Sequence, residues 1–131
     1  IYATEITRGL DVLELLPSEF LTANEIAAAA LADPGETFNP QQQFPVRWPD
    51  SSLVARAYID QLRRDQVLSE EDLMMLETFA SALEDGFAPD HLAQLNQTLS
   101  QLEQRAHQNK VHHRSLSGVL QMFQRSKKET L

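Results

Sequence analysis

The stretch LAQLNQTLSQLEQRA, residues 92–106, decides the fold class because it carries an uninterrupted apolar heptad. Its apolar positions recur at alternating intervals of three and four residues, which places them on one face of an α-helix. These positions are Leu92, Leu95, Leu99, Leu102 and Ala106. Pro89, just upstream, suits the first turn of such a helix. The stretch therefore predicts a long amphipathic helix that packs against other helices.

A first helix is predicted far upstream, after Thr22. Thr22 and Glu25 match the capping-box pattern, in which two side chains satisfy free backbone amides at a helix start. The run EIAAAALA, residues 25–32, is rich in alanine and therefore has a high helix propensity. The turn sequence at residues 33–35, Asp-Pro-Gly, ends this helix.

Three further helices complete the predicted bundle. The second helix begins at Asp50 or Ser51, the third begins at Ser69, and the fifth follows Lys110. Each of them carries apolar residues at helical spacing. In chain order the inward-facing residues are Leu53, Val54, Ala57, Tyr58 and Leu62, then Leu73, Leu76, Phe79, Ala80 and Leu83, then Leu116, Val119, Leu120 and Phe123. Gly118 lowers the helix propensity of the fifth helix by roughly 1 kcal/mol.

The first fifteen residues, IYATEITRGLDVLEL, follow a β-strand pattern instead. Residues alternate with a period of two on either side of Arg8, and the next residue, Gly9, can adopt the positive φ of a tight turn. The alternative is that residues 10–16 begin a helix, because leucine and glutamate favour helices. A lone hairpin buries too little apolar surface to be stable by itself. We therefore expect a hairpin that is the remnant of a preceding domain, in a chain that is a C-terminal piece of a longer protein.

The predicted fold class is mainly α, with a four- to five-helix bundle built from two αα-hairpins. Residues 1–16 form the β-hairpin remnant, and residues 17–131 form the bundle domain. Within that domain, residues 34–50 are rich in proline and predict an ordered loop, because aromatic side chains in a polar loop usually pack on a core. These aromatic residues, which are the candidate interaction residues, are Phe38, Phe44 and Trp48.

Composition narrows the function classes. The 131 residues are enough for one domain with a sizeable core. The net charge of −8 argues against nucleic-acid binding, because phosphate recognition requires a basic face. Basic residues concentrate in residues 104–131, a segment that suits an acidic partner or a solvated tail. The chain has no cysteine, which excludes disulfides and thiolate-ligated metals, and no apolar run approaches the length of a membrane span.

The sequence offers no catalytic constellation, and no cofactor is expected. Ser115 and Ser117 lie near two histidines but lack an orienting acid and a nucleophile-elbow pattern. Three histidines, His107, His112 and His113, fall near one helix junction and are the candidate ligands of a metal such as zinc or copper. They do not form a two-histidine face on one helix, so a solvated polar turn is the simpler interpretation.

The hairpin carries a resemblance to a known family. Residues 1–5, IYATE, and residues 8–13, RGLDVL, resemble the repeat strands of LVIVD-type β-propellers of bacterial extracytoplasmic proteins. Residues 17–33, PSEFLTANEIAAAALAD, resemble the stretch that follows the final blade in some such proteins. The helical pattern is also loosely similar to FIMAH-like C-terminal modules of bacterial secreted proteins. These resemblances imply an extracytoplasmic location (secreted, periplasmic or on the cell surface) and a role as an accessory module.

The sequence therefore predicts a non-enzymatic accessory or interaction domain at the C-terminus of a larger β-propeller protein. Its expected partner is another protein or its own propeller domain, and the heptad of residues 92–106 also allows a homodimer. The alternative is a helical bundle that binds a small ligand or a metal through the loop aromatics and the His107–His113 turn. An enzyme domain that shares its active site with other parts of a longer protein is a third hypothesis.

Overall fold

The computed structural model describes residues 2–7, 9–33, 35, 46–66, 68–85, 89–108 and 114–130. Within this part of the chain the elements are β1 (Tyr2–Glu5), β2 (Gly9–Val12), α1 (Ala23–Ala29), α2 (Ser52–Arg64), α3 (Glu70–Asp85), α4 (Pro89–Gln108) and α5 (Arg114–Thr130). The predicted fold class, a helical bundle preceded by a short β-hairpin, is confirmed.

The β-hairpin is antiparallel and short. Its register pairs Tyr2 with Val12 at the open end and Glu5 with Gly9 at the turn. Gly9 has a φ of 90°, a left-handed value that only glycine adopts without strain. The predicted turn residue is therefore confirmed, and the strand pairing ends at Val12 rather than extending to residue 15.

The first three helices follow predicted capping residues, and of the two predicted starts of α2, Asp50 and Ser51, it is Ser51 that caps the helix. The Thr22 hydroxyl accepts a hydrogen bond from the Glu25 amide, and the Glu25 carboxylate accepts one from the Thr22 amide, which completes the capping box of α1. Ser51 caps α2 by accepting a hydrogen bond from the Val54 amide. Ser69 accepts a hydrogen bond from the Asp72 amide at the start of α3. Each of these bonds satisfies a backbone donor that a helix leaves free at its first turn.

The core lies around α2, which packs against α1, α3 and α5. One continuous apolar cluster contains buried side chains from all five helices, and the predicted inward-facing residues of α2 to α5 supply most of it. Leu95, Leu99 and Leu102 bring α4 into this cluster, with exposed fractions of 4% or less. The rings of Phe79 in α3 and Phe123 in α5 meet edge to face, with centroids 6.0 Å apart. The two helical hairpins therefore share one core.

The described ends of the Pro-rich loop are held together by backbone hydrogen bonds. The Asp33 amide donates to the Arg47 carbonyl at 2.7 Å, and the Arg47 amide donates to the Asp33 carbonyl at 3.1 Å. This bridge fixes Arg47, and Trp48 after it, beside the end of α1. Phe38 and Phe44 lie outside the described residues, so their predicted packing stays a prediction.

Candidate functional site

Two adjoining cavities open where α1, α2, α5 and residues 46–50 meet. The first has a volume of about 360 Å³, and the second has a volume of about 490 Å³. Trp48, Val54 and Tyr58 line both cavities, so the two aromatic rings stand at their boundary. Cavities of a few hundred Å³ that combine aromatic and polar linings are typical of small-ligand sites. This pair of cavities is therefore the candidate site.

Tyr58 reaches this position because α5 has a glycine where the ring rests. A Cβ atom built on Gly118 would lie 2.8 Å from Cζ and 3.0 Å from Cε2 of Tyr58. Carbon atoms do not approach so closely without strain, so only glycine lets the ring lie against the backbone of α5. The residue that weakens the helix propensity of α5 thus has a packing role, which is to seat Tyr58 between the two cavities.

The contact between Gly118 and Tyr58 predicts a background-dependent effect of one substitution. Gly118→Ala is expected to lower the free energy of unfolding by about 1–2 kcal/mol, because displacing the Tyr58 ring outweighs the gain in helix propensity. In a Tyr58→Ala background, Gly118→Ala is expected to raise the free energy of unfolding by about 1 kcal/mol. Without the ring there is no clash, so only the gain in helix propensity acts. Urea unfolding followed by circular dichroism measures both, and equal effects in the two backgrounds would contradict the contact.

The first cavity has an apolar floor made of small side chains. The floor residues are Leu21 before α1, Ala28 and Ala29 in α1, and Val54 and Ala57 in α2. Ala28, Val54 and Ala57 are each no more than 6% exposed. Because alanine side chains are small, the contact between α1 and α2 leaves a recess that larger side chains would fill. Trp48 stands at the rim of this recess and is 40% exposed.

The first cavity is also lined by Glu25, whose buried carboxylate pairs with the partly exposed Arg64. The Glu25 carboxylate is 8% exposed and accepts two hydrogen bonds from the Arg64 guanidinium, at 2.8 and 2.9 Å. The hydrogen bonds from Arg64 lower the pKa of Glu25 from 4.5 to about 2, against the opposing effect of burial. Glu25 therefore stays ionised, and its charge is matched by Arg64.

The start of α5 also lines the first cavity. Ser115 is buried and its hydroxyl hydrogen-bonds the Gln61 side chain of α2, so these two polar groups satisfy each other. Arg114 also lines the cavity and is exposed. Its guanidinium pairs with no carboxylate among the residues that the structure describes.

The second cavity has a different polar lining. Arg125 of α5 donates from Nε to Asp50 at 2.7 Å and from Nη2 at 2.5 Å, a two-pronged ion pair that ties α5 to the start of α2. Arg47 lines the same cavity, as do Gln121 and Gly118 of α5. The charges of Arg125 and Asp50 balance each other, and Arg47 is a further positively charged residue in the lining.

Of the predicted site residues, the structure describes the side chain of Trp48 alone. Trp48 does line a cavity together with Arg114 and Ser115, which follow the predicted histidine turn directly in sequence. The backbone of His107 lies in α4, but its side chain, like His112 and His113 as a whole, falls outside what the structure describes. The described residues contain no group of three or more histidines and carboxylates that could hold a metal ion. The apolar pattern of α2 predicted Tyr58 as an inward-facing residue, but no local pattern indicated the cavities.

The β-hairpin presents a second candidate surface, which is apolar on one side. Residues paired across an antiparallel hairpin share a face, so Tyr2, Val12, Thr4 and Leu10 lie together, opposite the face of Ala3 and Asp11. Tyr2, Leu10 and Val12 are 78%, 61% and 68% exposed. Exposed apolar patches of this kind mark interaction sites in soluble proteins. We call the group Tyr2, Thr4, Leu10 and Val12 the hairpin face.

No protein-family model, no curated protein and no solved structure matches this chain. In the described part of the chain, no helix is both long enough and apolar enough to cross a membrane.

Proposed function

We propose that this chain is a non-enzymatic accessory or interaction domain that docks on a β-rich protein surface through its hairpin face. The partner is the propeller domain of a larger extracytoplasmic protein, of which this chain is the C-terminal part. The helical bundle is the scaffold that carries the hairpin.

The exposed hairpin face is the observation that carries this proposal. The hairpin is amphipathic, yet the side chains of Tyr2, Leu10 and Val12 face solvent. A two-stranded hairpin is marginally stable in water unless its apolar face packs on something or further strands join it. A strand at the edge of a sheet is also a ready template for pairing with a strand of another protein.

The apolar surface continues beyond the strands. Leu13, Leu15, Leu16 and Phe20, which connect the hairpin to α1, are between 47% and 75% exposed. This continuity makes the whole of residues 2–20 a candidate docking segment and supports an extended interface rather than a single contact point. The helical core does not depend on these side chains, since every member of its cluster lies between residues 28 and 123.

The identity of the proposed partner is inferred from the sequence of the hairpin. Residues 1–5 and 8–13 resemble strands of LVIVD-type propeller repeats, so a propeller sheet is the surface that such strands would match. This resemblance also supports the extracytoplasmic location. A homodimer through the hairpin face is the competing arrangement, in which a second copy takes the place of the propeller.

Two isosteric substitutions on the hairpin face, which are expected to change the affinity for the partner in opposite directions, test the proposal. The β-repeat segment that the proposal places upstream of Ile1 in the same gene is produced separately, and its affinity for this chain is measured by calorimetry. Val12→Thr is expected to weaken binding by at least about tenfold, because it buries a hydroxyl in an apolar contact. Thr4→Val, on the same face and also exposed, is expected to tighten it, since it adds apolar contact without changing shape.

The controls separate docking from folding. Neither substitution is expected to change the free energy of unfolding of the isolated chain by more than about 0.5 kcal/mol, because both side chains are exposed. An upstream gene sequence without β-repeats would contradict the proposed partner. Sedimentation that shows a homodimer weakened by Val12→Thr would replace the propeller with a second copy of the chain.

A further inference from the structure

The first cavity described above, between α1, α2 and the start of α5, is unrelated to the hairpin face and has the features of a ligand site of its own. It is concave, its volume is about 360 Å³, and its floor of small aliphatic side chains is covered on one side by Trp48 and Tyr58. A flat ring inserted there would contact alanine methyl groups below and aromatic rings at the rim. The apolar part of a suitable ligand is therefore small and preferably aromatic.

The charges around the cavity select the polar part of the ligand. Glu25 is already matched by Arg64, and Gln61 and Ser115 bond each other. Arg114 is the lining residue whose charge has no carboxylate partner in the described part of the chain. An unpaired guanidinium beside an apolar recess complements a carboxylate, because its planar fork donates two parallel hydrogen bonds to two oxygens.

The start of α5 adds to this preference. Arg114 is the first residue of that helix, and no acidic residue lies in its first turn. The partial positive charge of a helix N-terminus therefore acts in the same direction as the guanidinium. The site therefore favours an anion locally, although the chain as a whole carries a net charge of −8.

We propose that this cavity binds a small aromatic carboxylate, with its ring against the floor of Ala28, Ala29 and Ala57 beside Trp48 and its carboxylate on Arg114. The second cavity also carries a cation, Arg47, but it is the poorer site for this ligand because its lining lacks the alanine floor that would hold the ring. Its other cation, Arg125, is already paired with Asp50. Val54 and Tyr58, which line both cavities, support the ring and separate the two spaces.

A matched pair of probes tests the ligand chemistry. 4-Phenylbutyrate and its uncharged amide, 4-phenylbutanamide, differ only in the group that Arg114 would bind. Trp48 is the only tryptophan, so its fluorescence reports occupancy of the cavity directly. 4-Phenylbutyrate is expected to shift the Trp48 emission with a Kd below about 1 mM. The amide is expected to bind at least about tenfold more weakly, since it loses the charge-assisted hydrogen bonds.

Matched variants test the position of the ligand. Arg114→Gln is expected to weaken 4-phenylbutyrate by at least about tenfold and to leave the amide unchanged within about twofold. Ala29→Leu, which fills the recess, is expected to abolish binding of both probes. Ala27→Leu is its control, because Ala27 is an exposed alanine of the same helix that does not line the cavity. Arg47→Gln is the control for the second cavity.

Each contrary result overturns a stated part of the proposal. No change in Trp48 emission and no heat of binding up to about 1 mM would overturn the site. Binding that Ala29→Leu leaves intact would place the probe elsewhere on the chain. Equal affinity for the acid and the amide, or loss of binding in Arg47→Gln instead of Arg114→Gln, would overturn the role of Arg114. Thermal unfolding of each variant verifies that these exposed substitutions leave the bundle folded.

Discussion

Replacement of Phe123 by alanine is expected to lower the free energy of unfolding by about 3–5 kcal/mol. Phe123 is completely buried in α5, and its ring meets Phe79 of α3 edge to face at 6.0 Å. The truncation removes the apolar area of the ring, leaves a cavity, and removes the aromatic contact that joins the two helical hairpins. Denaturant unfolding of the full chain, followed by circular dichroism, measures the loss.

Phe20 provides the matched control for this substitution. It is 75% exposed before α1, so Phe20→Ala is expected to change the free energy of unfolding by less than about 0.5 kcal/mol. A loss below about 1 kcal/mol for Phe123→Ala would contradict a core shared by α3 and α5. Similar losses for both phenylalanines would contradict the exposed position of residues 13–20.

Glu25→Gln is expected to lower the free energy of unfolding at pH 7 by about 2–3 kcal/mol. The substitution keeps an acceptor for the Thr22 amide but leaves Arg64 without its carboxylate at a contact where Glu25 is 8% exposed. Glu77→Gln is the control, since Glu77 pairs with Arg63 at 3.4 Å on a more exposed surface. Exposed pairs of this kind contribute about 0–1 kcal/mol.

The pH dependence of the Glu25 effect has a definite sign. The pKa of Glu25 falls from 4.5 to about 2 in the folded chain. The folded state therefore binds the proton less readily than the unfolded state, and the stabilisation is fully present above about pH 4.5. It is lost as the pH falls towards about 2, so the difference in stability between Glu25→Gln and the natural sequence is expected to shrink over that interval. A difference that stays constant from pH 7 to about pH 2 would contradict the ion pair.

Local patterns predicted the elements of this fold well. Thr22 with Glu25, Ser51 and Ser69 are short-range capping signals, and each of them caps a helix. The apolar stripes also needed only local spacing, since a 3.6-residue period fixes which side of a helix is buried. The hairpin turn could be predicted because residue 9 is a glycine, the residue type that adopts a left-handed φ without strain.

The candidate site could not be predicted in the same way. Glu25 and Arg64 are separated by 39 residues, and Arg125 and Asp50 are separated by 75, so their pairing depends on how helices dock. The sequence showed that Gly118 lowers the helix propensity of α5. The need for a glycine at this position comes from the ring of Tyr58, which lies on another helix. Trp48 was predicted to pack on the core with the other loop aromatics, and the structure places it, 40% exposed, in the lining of a cavity that three helices form together.

The proposed docking and the proposed ligand site use different parts of the chain. The hairpin face lies in residues 2–12, whereas the first cavity is built from the bundle and residue 48. A substitution on one surface is therefore expected to leave the other unaffected. This independence lets each proposal fail without the other.

Hydrogen exchange at the amides of residues 2–12 tests the central claim most directly. The chain is measured alone and then together with the separately produced propeller segment that is proposed as its partner. Docking through the hairpin face predicts that exchange of the β1 and β2 amides slows by at least about tenfold in the mixture, while the amides of α2 and α3 exchange at unchanged rates. Unchanged exchange of the hairpin amides in the mixture would contradict the claim that this chain is an interaction domain that docks through its hairpin.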